Sequence, residues 1–80
     1  MEEFVGYINY DGKNYAVNIL PLYNEILGET NYEVSYPGFD PFIMVWEHNL
    51  NPGFKIQGVA PYAAHEMKEA ISIVIEQHYN

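Results

Sequence analysis

Few side chains in this sequence are typed and spaced for chemistry. His65 and Glu69 stand four apart in a stretch with helical periodicity, a spacing that lets two side chains meet one ion. Two ligands do not make a site. The string His65-Glu66-Met67-Lys68-Glu69 holds Glu69 where a H-E-x-x-H motif needs its second histidine, so an exposed hydrogen-bonded pair is expected and no metal. His48, beside Glu47, and His78, near a helix C-terminus where a cation is favoured, have equally plain roles. Ser35 and Ser72 are the only serines, and neither lies in a G-x-S-x-G turn. Ser72 is expected on a helix surface. The glycines are isolated from one another, so no Gly-rich loop cradles a phosphate. A carboxylate pair for glycoside chemistry needs a cleft that so small a core can hardly supply. The expectation is a chain that is not an enzyme, with no catalytic residue and no cofactor.

Aromatic side chains are the more informative feature. Eight Tyr, four Phe and one Trp in 80 residues exceed what one helix and one sheet face need for a core, and Tyr is amphipathic enough to sit at a boundary with water. Tyr7, Tyr10, Tyr15, Tyr32 and Tyr36 can tile a sheet as cross-strand pairs. They can also form an interface, since Tyr, Trp and Met are enriched in such patches.

The elements that must position these rings are read from turn chemistry and periodicity. From Phe4 to Leu20, two β-prone stretches meet across Asp11-Gly12, a dipeptide that accepts the positive φ of a type I′ turn. Such a turn sets Tyr10 opposite Lys13, Ile8 opposite Tyr15, Gly6 opposite Val17 and Phe4 opposite Ile19, one mostly apolar face. Val5, Tyr7 and Asn9, with Asn14, Ala16 and Asn18, form the more polar one. Pro21 stops ladder donation, and Leu22, Tyr23, Ile26 and Leu27 recur at helical spacing before Gly28, which predicts a short helix packed on the sheet. Tyr32 to Tyr36 alternates as a strand. Phe42 to Trp46 is apolar at every position, which fits a central strand covered on both faces. Asn49 to Gly53 is a turn cluster, and Phe54 with Ile56 marks a last strand. After Pro61, an apolar stripe of Ala63, Ala64, Met67, Ala70, Ile71, Val74 and Ile75 predicts an amphipathic helix of about 17 residues, with Ile73 and Ser72 off the stripe. The order is β-β-(short α)-β-β-β-α: an α+β class, a small antiparallel sheet of four to five strands with the C-terminal helix on one face.

Length and charge bound the rest. Eighty residues allow a single domain, 1–80, and 49% hydrophobic with 18% charged residues is the composition of a folded one. Eleven Asp and Glu stand against three Lys and no Arg, a formal charge of −8. Phosphate recognition needs Lys and Arg, so direct nucleic-acid binding and anionic membrane surfaces are excluded as defaults. An acidic start at Met1-Glu2-Glu3 and the lack of a long apolar run predict a soluble, cytoplasmic chain. With no cysteine, disulfides and thiolate sites are excluded.

Two functions follow. The first is a non-catalytic protein-protein interaction module that self-associates as a homodimer. One helix covers one sheet face while Phe42 to Trp46 is apolar on both, so the second face needs a partner or the Leu22 to Leu27 segment as cover. Tyr7, Tyr36, Met44 and Trp46 are the expected binding residues. The alternative is an acidic inhibitor that mimics phosphate charge toward a basic, nucleic-acid-binding partner, presenting Glu66, Glu69, Glu76, Asp40 and Glu47. Tyr32-Glu33-Val34-Ser35-Tyr36-Pro37-Gly38, then Gln57-Gly58 leading into a helix with Glu69-Ala70-Ile71, resembles the sheet-then-helix order of HicB-type antitoxins, with a longer insertion between the pieces. The resemblance assigns no residue a role.

Overall fold

Asp11 and Gly12 set the register of the N-terminal hairpin. Their φ values of 53° and 75° are both left-handed, as a type I′ turn requires. In the computed structural model, which describes residues 2–46 and 53–79, this turn joins β1 (Phe4–Tyr10) to β2 (Lys13–Asn24). The observed pairs are those the turn dictates, from Tyr10 with Lys13 out to Phe4 with Ile19. Alternation then does its work: Gly6, Ile8, Val17 and Ile19 are buried, while Val5, Tyr7, Ala16 and Asn18 on the opposite face are exposed.

The expected short helix after Pro21 is not formed, and β2 instead continues through Pro21 to Asn24. The physical reason lies in which side each residue bonds. With Tyr10 and Lys13 flanking a two-residue turn, the odd residues of β2 direct their backbone groups toward β1 and the even ones toward β3. Pro21 lies past Phe4, the last β1 residue in the ladder, so its missing N–H falls where no strand remains to accept it. Leu22 and Tyr23 are taken up by pairing with Asn31 and Thr30. That leaves room for one helical turn. Asn24 caps it: its Oδ1 accepts the N–H groups of Ile26 (3.0 Å) and Leu27 (3.2 Å), and its carbonyl accepts that of Gly28 (2.8 Å). Gly28 closes the turn at φ 67°, a left-handed value that suits glycine.

β3 (Glu29–Ser35), β4 (Phe42–Trp46) and β5 (Phe54–Gln57) complete a five-stranded antiparallel meander in the order β1-β2-β3-β4-β5. β4 is paired on both sides, the central place its unbroken apolar run predicts, but among the described residues α1 covers only its even positions and the expected cover over Ile43 and Val45 is not formed. The helix α1 (Tyr62–His78) packs against both β1 and β5, the two edges, so the sheet is concave toward it. Val17, Ile19, Val34 and Met44 meet Met67, Ile71 and Ile75 in the core. Gly6 marks the closest approach: a Cβ there would collide with Val74 Cγ1. Ile73 is exposed as its place off the stripe requires, but Ser72 is buried rather than on the surface. Its hydroxyl is satisfied by donating to the Lys68 carbonyl one turn back, at 2.7 Å, which removes the cost of burying it.

Candidate functional site

The helix covers one face of the sheet; the other carries the candidate site. Register places its side chains in rows across the strands. Val5 lies beside Asn18 and Ser35, and Tyr7 beside Ala16. Leu20 is followed by Glu33, Ile43 and Gln57, and Leu22 by Asn31, Val45 and Lys55. Among the described residues no helix or strand lies across these rows. Val5 is 50% exposed, Tyr7 75% and Leu22 40%, while Leu20, Ile43 and Val45 are half-buried by their neighbours within the sheet. The face is therefore mixed, apolar positions alternating with neutral polar ones. Its charge is sparse: Glu33 and Lys55 are the charged residues in these rows, in a chain of net −8. At its margin Asn9 Nδ2 donates to Asn14 Oδ1 at 3.1 Å. The turn that follows β2 does not fold back as a cover, since Ile26 is 94% and Leu27 66% exposed.

The four expected binding residues divide between the two faces. Tyr7 stands on the open one. Tyr36 and Met44 require correction, because both are buried in the core. The parity of β3 and β4 decides this: Val34 pairs with Phe42 and Tyr32 with Met44, so the even positions point toward α1 and leave Ile43 and Val45 for the open face. Trp46 shares that helix-side parity but lies at the end of β4, where it is 46% exposed. Its indole rests on Gly53, where a Cβ would collide with ring carbons Cε3, Cζ3 and Cη2, and it meets Phe54 edge-on with centroids 5.1 Å apart. Val5, Leu20 and Leu22 were not among the expected site residues. Their signal was present only as alternation, which the helical spacing of Leu22 to Leu27 obscured.

Part of the Tyr surplus is used on the helix side of the sheet, in ring contacts between neighbouring segments. Tyr10 meets Tyr15 with centroids 6.3 Å apart, and Tyr15 meets Tyr36 at 6.2 Å. Tyr10 also reaches α1, where its hydroxyl donates to Glu66 Oε1 at 2.5 Å. That hydrogen bond to a carboxylate, with some desolvation, pushes the Tyr10 phenol up to about 12. Burial raises the phenols of Tyr32, Tyr36 and Tyr79 above their ordinary value.

The remaining chemical candidates stay apart. His65 and Glu69 are exposed on α1, and among the described residues no group of three or more His, Cys, Asp and Glu is placed to hold a metal ion. Glu47 and His48, and Asn49 of the expected turn cluster, lie outside the described residues. No described helix is long and apolar enough to cross a membrane. No known protein family, curated protein or solved structure matches this chain. The shared element order with HicB-type antitoxins accordingly carries no argument, and function must be reasoned from the surface itself.

Proposed function

We propose that this chain is a non-catalytic binding module that pairs with a second copy of itself through the open face of its sheet. The observation that carries the reading is that face: apolar side chains at Val5, Tyr7 and Leu22 left exposed beside half-buried Ile43 and Val45. Leaving such groups in water forgoes roughly 25 cal/mol for each Å² that a partner could cover. The polar positions between them suit an interface that forms and separates, because non-obligate interfaces are about as apolar as ordinary surface. A two-fold pairing is favoured because one self-complementary patch then serves both subunits. Charge supports the choice of face. Glu66 and Glu69 project from the helix side, whereas the open rows set Lys55 against Glu33, with Glu29 at their end, so two acidic copies meet less repulsion there.

Sedimentation equilibrium over a micromolar concentration series tests the proposal. The expected result is a reversible dimer that tightens as salt rises, since screening relieves repulsion between two like-charged subunits. Tyr7→Lys sets a charge at the most exposed aromatic of the face, on edge strand β1, and should weaken the dimer at least about tenfold without unfolding the chain. A monomer at every concentration, or a dimer indifferent to Tyr7→Lys, would overturn it.

A further inference from the structure

A separate feature lies at one end of the sheet, where β3, β4 and β5 meet the C-terminal end of α1. Tyr32, Trp46 and Phe54 are shared between two cavities. One, of about 390 Å³, runs round the strand ends to Glu29, Asn31 and Val45; the other, of about 460 Å³, lies on the helix side and is completed by Ile75, Glu76 and Tyr79. Both have the size of a small-ligand site. The rings cross steeply: Tyr32 meets Phe54 at 78° and 5.6 Å, Trp46 meets Phe54 at 76° and 5.1 Å, and Tyr32 meets Tyr79 at 48° and 5.9 Å. Rings meeting at such angles pack edge to face and lie in different planes, so the cavity they share is walled by aromatic groups on more than one side. Phe54 is buried and forms the base, while Trp46 and Tyr79 are each 46% exposed and form the walls. Gly53 is what lets the indole lie flat at this wall, because any side chain there would lift it.

The walls carry negative potential twice over. Aromatic faces present the negative side of the ring quadrupole, and Glu76, half-buried beside Tyr79, adds a carboxylate. No Lys lines either cavity. A neutral apolar ligand would use the rings and have no use for the carboxylate. A small metal ion would need oxygen ligands in place of rings. A methylated ammonium ion uses both: its charge is spread over weakly hydrated methyl groups that seat against ring faces, and recognition of such ions by clustered rings is a known use of cation–π attraction.

We propose that the pocket formed by Tyr32, Trp46, Phe54 and Tyr79, with Glu76 as counter-charge, binds the quaternary ammonium group of a small solute. The ligand contacts are distinct from those of the dimer, since Tyr32, Phe54, Glu76 and Tyr79 lie on the helix side of the sheet, with Trp46 at the strand end between the two sides.

Trp46 is the single tryptophan of the chain, so its emission reports on this end of the sheet without interference from another indole. The full chain is titrated with choline chloride and, in parallel, with 3,3-dimethylbutan-1-ol, which has the same shape without the charge. Sodium chloride serves as the ionic-strength control. Choline is expected to shift Trp46 emission saturably and to bind at least about tenfold more tightly than the alcohol. Glu76→Gln should weaken choline severalfold and leave the alcohol unchanged, which also shows that the pocket has kept its shape. Tyr7→Lys should bind choline as the parent does, separating this site from the open face. Equal binding of the two probes, no saturation by choline, or choline binding unmoved by Glu76→Gln would overturn the proposal. Capture of the chain by phosphatidylcholine vesicles without binding of free choline would overturn it as well, by assigning the site to a lipid surface.

Discussion

Four phenols make this molecule sensitive to alkali, and their shifts share one sign. Tyr10, Tyr32, Tyr36 and Tyr79 are all held in the neutral form more firmly than in an unfolded chain. The unfolded state therefore releases these protons first as pH rises. The stabilisation is fully present below an unfolded value near 10 and is lost as pH climbs through the folded values, about 12 for Tyr10. Urea unfolding across an alkaline pH series should show stability falling through that window. Tyr10→Phe should flatten the fall by removing the share that depends on Glu66, while the buried phenols keep theirs. An unchanged slope would mean that the contact between Tyr10 and Glu66 has no weight in solution. Tyr36 differs from Tyr10 in this respect: its hydroxyl is buried without a hydrogen-bond partner among the described residues, and its shift reflects desolvation and a neighbouring Tyr15.

At the scale of elements, the fold depends on how closely α1 can approach the edge strands. Gly6→Ala places a methyl group against Val74 Cγ1, and overpacking of this kind costs about 1–3 kcal/mol. Val74→Ala should relieve the collision, so thermal unfolding of the double variant is expected to show the two changes coupled and not additive. Strict additivity would mean that helix and strand are not pressed together at this point. The elements that were legible in the sequence were those specified locally: the Asp11-Gly12 turn with its register, the unbroken apolar run of β4, and the stripe of α1. Those that were not legible depended on distant partners. Leu22 and Tyr23 carry helical spacing, but pairing with Asn31 and Thr30 outweighs one marginal helical turn. Tyr7 could be named for the site because its alternation was plain. Met44 could not be excluded because an apolar run does not reveal which parity faces the helix, nor Tyr36 because alternation alone does not say which face of a strand the helix takes. Ser72 looked like a surface residue until its own helix supplied the acceptor.

For the whole molecule, the distribution of charge and oil is the governing fact. The helix side gathers Glu66, Glu69 and Glu76, and one of its corners holds crossed rings beside a carboxylate. The opposite side holds Glu33 and Lys55, with Glu29 at its end, and carries apolar groups without a described roof. A molecule of net −8 arranged in this way resists indiscriminate association, yet keeps a patch on which two copies can meet. Intermolecular NOEs in a mixture of isotopically labelled and unlabelled chains are the most direct measurement of that claim. Contacts are expected from the Tyr7 ring of one molecule to the methyl groups of Val5, Leu20 or Leu22 in another. Their absence at concentrations where the chain is fully folded, or contacts confined to the outer surface of α1, would contradict it.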